Sequence, residues 1–158
     1  MTEQEFADIV RKHQERLYMH IRGMVGRHED ADDVLQNTFL KAWQARDSFR
    51  GDAKISSWLY RIATNEALNF IDRNKMNDGG EMPDVASDPY FDGDETERQL
   101  QRAINTLPPK QKQVFLMKYF DEMKYEEMSE ILSTSIGALK ASYHAAVDKI
   151  KIFFDNVD

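Results

Sequence analysis

Four histidines, eight methionines and no cysteine bound the chemistry open to this 158-residue chain. Without thiols there are no disulfides, no thiol catalysis and no Cys-ligated zinc. His13 and His20 stand a heptad apart and could share a helix face, but a metal site needs a third ligand nearby. Ordinary surface or boundary positions are the better reading for them, as for His28 and His144. No G-x-x-x-x-G-K-S/T, G-x-S-x-G or H-E-x-x-H motif occurs. Neither a catalytic residue nor a cofactor is expected. Met24, Met117 and Met128 fall at core-like spacing and read as packing. What remains is the chemistry of binding. Arg61, Asn65, Asn69 and Arg73 recur at steps of four, so on a helix they form one outward row of charge and amide groups. Asp32, Asp33, Gln36, Asn37, Leu40, Lys41 and Gln44 form a second polar face. SEILSTSIGALKASYHAAVDKI (129–150) outlines a helix-turn-helix whose second helix carries little positive charge.

Helices must position these rows, and the periodicity supplies them. Phe6, Ile9, Val10, His13, Leu17 and Ile21 recur at 3.6-residue spacing. From a start at Asp30, the residues Ala31, Val34, Leu35, Thr38, Phe39, Ala42 and Trp43 make one apolar face. A loop, RDSFRGDAKI, leads to a helix that Ser56 or Ser57 could cap, with Leu59, Ile62, Ala63, Ala67, Phe70 and Ile71 inward. Further on, Leu100, Ala103, Ile104 and Leu107 form a stripe. Pro108-Pro109 ends it and starts the next helix, in which Val114, Phe115, Met117 and Tyr119 continue the pattern. YEEMSEIL (125–132), the Ser133-Thr134-Ser135 turn and a last helix to about Phe154 complete the chain, the last burying Leu139, Tyr143, Ala146, Val147, Ile150 and Phe153. No strand pattern competes. The fold class is all-α.

The net charge of -7 is concentrated. Residues 1–76 carry 12 basic and 12 acidic side chains, and residues 98–158 carry 9 and 8. Residues 77–97, NDGGEMPDVASDPYFDGDETE, carry none and 8, with three of the seven glycines and two of the four prolines. That stretch reads as an acidic flexible linker, able to reach ~70 Å when extended, between two small helical domains. An acidic total therefore says nothing against nucleic-acid binding by the flanking domains. Within the first, residues 1–40 are net -3 and residues 41–76 net +3, so its two halves suit different partners. No apolar run is long enough to cross a bilayer, and MTEQEFADIVRKHQ is not a signal peptide. A cytoplasmic protein with no membrane insertion is expected.

DADDVLQNTFLKAW, then FRGDAKISSWLYRIATNEALNFIDR, then LPPKQKQVFLMKYFDEMKYEEMSEIL with STSIGALKAS, taken in that order with the acidic stretch between, resemble the small alternative sigma factors of bacterial RNA polymerase, the extracytoplasmic function (ECF) group. The resemblance covers about residues 5–76 and 98–152. It implies the family's region 2 in residues 1–76, a linker at 77–97, and region 4 in residues 98–158 with its helix-turn-helix at 125–145. It further implies an initiation factor that joins core polymerase and opens promoter DNA without catalytic activity of its own.

The resemblance assigns the polar rows. Asp32, Asp33, Gln36, Asn37, Leu40 and Lys41 lie where the family grips the β′ clamp helices of core RNA polymerase, and a polar face that also exposes a leucine suits a partner. Region 4 is implied to meet the β flap. The net-positive half reads the −10 element, where a flipped base needs a pocket, neutralised phosphates and a stacking plane. The expected residues are Phe49, Arg50, Asp52, Lys54, Ser57, Arg61, Asn65, Asn69 and Arg73. Trp58 could stack on a base, but its place in W-L-Y-R-I fits core packing better. The family's dense arginine run at the end of this helix is replaced by Asp72-Arg73-Asn74-Lys75-Met76. The −35 element is expected to meet Thr134, Ser135, Ala138, Lys140, Ala141, Ser142, His144 and Lys149. Family members commonly hold arginines where this chain has Ser142 and Ala145, so bidentate arginine-to-guanine readout gives way to Lys140, Ser142 and His144, alanine contacts with thymine methyls, and readout of shape. An anti-sigma factor is a further implied partner. A helix-turn-helix activator acting alone, and a protein-binding decoy without initiation activity, are the competing readings.

Overall fold

The computed structural model describes residues 1–51, 54–78 and 93–157, which form two compact units. Among them are seven α-helices: α1 (Glu3–Val25), α2 (His28–Gln44), α3 (Ile55–Asp78), α4 (Glu95–Asn105), α5 (Pro109–Tyr119), α6 (Tyr125–Leu132) and α7 (Ile136–Asp155). Of the stretch 77–97, residues 79–92 lie outside the described residues.

The first unit contains α1, α2 and α3. A capping box starts α1: the Thr2 hydroxyl accepts from the Glu5 N–H at 3.1 Å, and the Glu5 carboxylate accepts from the Thr2 N–H at 3.0 Å. Gly26, at φ 101°, lets the chain leave α1 by a backbone turn that a side chain would oppose. Helix α2 then begins at His28, two residues before the expected Asp30, which instead lies in its first turn beside Glu29, where carboxylates suit the helix dipole. Helix α3 begins at Ile55, with the Trp58 N–H on the Lys54 carbonyl at 3.1 Å. Ser56 and Ser57 are therefore inside its first turn rather than at the cap. Leu17, Ile21, Met24 and Val25 of α1, Ala31, Val34 and Ala42 of α2, and Leu59, Tyr60, Ala63, Ala67 and Ile71 of α3 are buried. Thr38 is buried among them and returns its hydroxyl to the Val34 carbonyl at 2.7 Å, which satisfies it without a partner helix.

In the second unit, the Asp94 carboxylate caps α4 by accepting from the Glu97 N–H at 2.9 Å, and Pro109 occupies the first turn of α5. Helices α4, α5 and α6 all pack on α7. Helix α5 buries Lys112, Gln113, Val114, Phe115, Leu116 and Met117, nearly its whole circumference, as a central helix does. Tyr119, expected to continue that buried pattern, is 53% exposed and lies flat on Phe115, with ring centroids 5.1 Å apart.

Lys112 is a cost inside this core. It is 2% exposed, and burial pushes its ammonium from its usual 10.5 down to about 8. With the folded value below the unfolded one, the unfolded chain binds the proton more tightly. The penalty is then complete at pH 8 and below, and is relieved as pH rises from about 8 toward 10.5. We expect Lys112→Met to be more stable than wild type at pH 7 by up to about 3 kcal/mol. The gap should close as denaturant melts are repeated toward pH 10, and a gap independent of pH would show that packing, not charge burial, sets it.

Candidate nucleic-acid interface

On the first unit, α2 turns Asp33, Gln36, Asn37, Leu40 and Lys41 outward, with Asp32 half-buried at their edge. Leu40 is 58% exposed, an apolar group on a polar face. Lys41 is committed within the chain: its ammonium pairs with the carboxylate of Glu66 on α3. Glu66 was not singled out by sequence reasoning. It interrupts the apolar arc of α3, and a charge there carries no sequence signal until the lysine facing it on another helix is known.

Arg61, Asn65, Asn69 and Arg73 are all exposed, forming the outward row along α3. Ser57, one turn before Arg61, is 8% exposed and turned into the unit. The loop ahead of α3 is braced at both ends. The Arg46 guanidinium lies 3.8 Å over the Trp43 ring and donates to the Trp43 carbonyl at 2.7 Å. At the other end, Phe49 and Trp58, both half-buried, meet at 5.2 Å. Each aromatic is thus the other's packing partner. Arg50 and Lys54 are exposed beside them, and Asp52 lies outside the described residues.

On the second unit, the turn between α6 and α7 is built from hydroxyls. Ser133 takes a left-handed conformation at φ 51°, ψ 44°. The Ser129 hydroxyl donates to the Thr134 carbonyl at 2.6 Å, and the Thr134 hydroxyl to the Leu132 carbonyl at 3.0 Å. Ser135 caps α7 by accepting from the Ala138 N–H at 3.2 Å. Ala138, Lys140, Ala141, His144 and Lys149 are exposed along α7 with Ser135 at its start, while Thr134 and Ser142 are half-buried. Lys149 reaches back to α5 and donates to the Gln111 side-chain oxygen at 2.9 Å. Lys140 instead sits 5.7 Å from the centre of the Tyr125 ring, which also holds Lys118 at 4.5 Å. The Lys118 ammonium donates in addition to the Met123 carbonyl at 3.2 Å. Lys118 and Tyr125 were not singled out by sequence reasoning: one lies on α5 and the other opens α6, and only the fold gathers them beside Lys140 of α7. Behind that face Tyr119, Phe115 and Tyr143 stack, and burial, with Tyr125 and Tyr119 nearby, pushes the Tyr143 hydroxyl upward.

Among the described residues no three His, Asp or Glu side chains gather as a metal site requires. Among the described residues, no helix is long and apolar enough to cross a membrane.

Two family models match the chain, each over one of the helical units: Sigma-70 region 2 over residues 9–76 and Sigma-70 region 4 over residues 97–150. The ECF RNA polymerase sigma factor SigW of Bacillus subtilis is 31% identical over 162 aligned positions, covering 92% of this chain and 87% of SigW. The chain belongs to the ECF RNA polymerase sigma factors. This sigma factor is also 29% identical to the sigma-E factor of Escherichia coli over 84% of its own length and 80% of that protein's. Its fold matches the sigma factor RpoE of Bartonella quintana, solved with the anti-sigma factor NepR, at a TM-score of 0.83 and 22% identity, over 98% of this chain and 99% of that one. CnrH, solved with the cytosolic domain of CnrY, matches at a TM-score of 0.77 and 22% identity, over 99% and 92%.

The left-handed Ser133 is the one strained point in the helix-turn-helix of this sigma factor. Glycine holds that conformation without the side-chain penalty. We expect Ser133→Gly to stabilise the chain by about 0.5–1 kcal/mol, read as a higher urea midpoint at unchanged slope. A lower midpoint would mean that the Ser133 side chain matters more to the turn than its backbone strain.

Proposed function

We propose that this chain joins core RNA polymerase and directs promoter-specific initiation, melting the −10 element with its first unit and binding the −35 element with its second. The observation that supports this reading most is that the two sigma regions coincide with two helical units, each presenting a polar face of its own. Asp32, Asp33, Gln36, Asn37 and Leu40 meet the β′ clamp helices, with Lys41 at the edge of that contact. Arg61, Asn65, Asn69 and Arg73 follow the separated strand, and Arg50 and Lys54 flank the pocket loop that Phe49 and Trp58 hold in shape. Asp52 belongs to the same proposed pocket.

The recognition helix contributes a modest −35 preference. Lys140 and His144, one turn apart, are the exposed polar side chains of its N-terminal half, beside Ala138 and Ala141. Ser135 and Thr134 shape the entry to the groove, Ser142 borders it, and Lys149 is drawn toward α5. Lys118 joins Lys140 as a phosphate contact through their shared Tyr125 ring. The protein acts in the cytoplasm, where the polymerase is, and catalyses no reaction itself. An anti-sigma factor covering the same faces is a natural partner, since RpoE and CnrH were each solved bound to another protein.

Mixing the chain with core polymerase and genomic promoter fragments tests the reading: specific start sites are expected. Core binding without initiation would identify a decoy, and DNA binding without core an activator. Asp33→Arg puts a cation on the clamp-facing row and should weaken core binding about tenfold or more, since like-charge or unpaired contacts in an interface cost a few kcal/mol, with its melting temperature kept. Equal co-purification of a folded Asp33→Arg would remove α2 from the interface. Lys140→Ala should weaken holoenzyme binding to −35 duplex nearly uniformly across sequences and reduce the salt slope by about one.

A further inference from the structure

Among the residues whose side chains the structure describes, Glu66 is the only buried carboxylate. It is 8% exposed, whereas the Lys41 side chain that pairs with it is 56% exposed. Such a pair is a poor way to gain stability. Removing a carboxylate from water costs several kcal/mol, a half-solvated ammonium returns only part of that, and an apolar side chain of similar size does as well or better. The neighbours of Glu66 on the inner arc of α3, Tyr60, Ala63 and Ala67, show that the arc accepts apolar residues. What a directional ion pair adds is geometry.

Its place in the unit says which geometry. Lys41 stands in the last turn of α2, directly after the exposed Leu40 and one turn after Asn37. Two residues later Trp43 anchors Arg46 and the loop toward Phe49 begins. Glu66 follows the exposed Asn65 and lies only about 60° around α3 from Asn69. The pair therefore ties the C-terminal end of α2, from which the pocket loop departs, to the inner arc of α3 behind the strand-facing row.

We propose that Lys41–Glu66 is a positioning pair: it sets the end of α2, and the loop that leaves it, against the Arg61–Arg73 row, so that a polymerase gripping α2 aims that row at the −10 strand. This rests on the sigma-factor reading. Glu66 touches neither polymerase nor DNA and acts through Lys41.

The test is a double-mutant cycle on holoenzyme, with the sigma chain at concentrations that saturate core and −10 opening read by permanganate reactivity. Glu66→Gln should bind core within twofold of wild type and open the promoter about tenfold less. Lys41→Met/Glu66→Gln should open no less than the worse of its two single variants, and Lys41→Arg should retain opening. The all-apolar Lys41→Met/Glu66→Met chain should melt no lower than wild type yet open as poorly as Glu66→Gln, which a purely stabilising role would not produce. It also carries the comparison if Glu66→Gln loses helicity. Opening by Glu66→Gln within twofold of an active wild type, or losses that multiply across the cycle, would overturn the positioning role. A wild-type chain that saturates core and opens no promoter would instead overturn the sigma reading beneath it.

Discussion

Burial of the inner arc of α3 against α1 is the interaction on which the first unit depends. Leu59, Ala63 and Ala67 of α3 and Leu17, Ile21 and Met24 of α1 are completely buried, and the alanines leave room for α3 to lie close to its partner. Tyr60 joins them, with the His20 ring 5.1 Å away and the Arg16 guanidinium 5.5 Å over its face. Once that arc is buried, helical geometry places residues on the far side in solvent. Arg61, Asn65, Asn69 and Arg73 are exposed because Leu59, Ala63 and Ala67 are not. The proposed nucleic-acid surface is in this sense the remainder of a packing solution.

Helix α7 plays the corresponding part in the second unit. It receives α4, α5 and α6 on one side, where Leu139, Ala146 and Ile150 are buried. Its opposite side carries Ala141 and His144, flanked by Lys140, with few atoms to interfere with a duplex. Basic groups are few on this side, and three nearby are held: Lys140 and Lys118 by the Tyr125 ring, Lys149 by Gln111. Held side chains lose less rotamer freedom on contact with a phosphate than free ones, which partly offsets their small number. The low charge of α7 fits the proposal that affinity for promoters comes largely through the polymerase.

Much of this was legible in the residues, for physical reasons. Apolar spacing foretold the helices, because burial of one face is what stabilises a short helix in water. The steps of four in Arg61, Asn65, Asn69 and Arg73, and the polar face around Asp33 and Gln36, needed only helical periodicity to be read as surfaces. The Ser-Thr-Ser turn announced itself by residues whose side chains compete with backbone hydrogen bonds. Two positions depart from the expected arrangement. Ser57, expected at the −10 surface, is covered by the fold around it. Tyr119 looks inward by spacing but rests on Phe115 at the surface.

The sequence by itself determined an all-α chain, its two helical units, the acidic stretch between them, the absence of thiol chemistry and the rows of polar residues that make binding its work. Those properties are local or compositional: periods, caps, charge counts and motifs need no knowledge of what lies across the core. Only the tertiary structure decided that Lys41 is tied to Glu66, that Lys112 is a buried cation, that Tyr125 gathers Lys118 and Lys140, and that Phe49 and Trp58 hold each other. All but the burial of Lys112 join groups from separate helices or across a loop, and neither a pairing across the fold nor the closing of a core over a lysine has a period along the chain from which to read it.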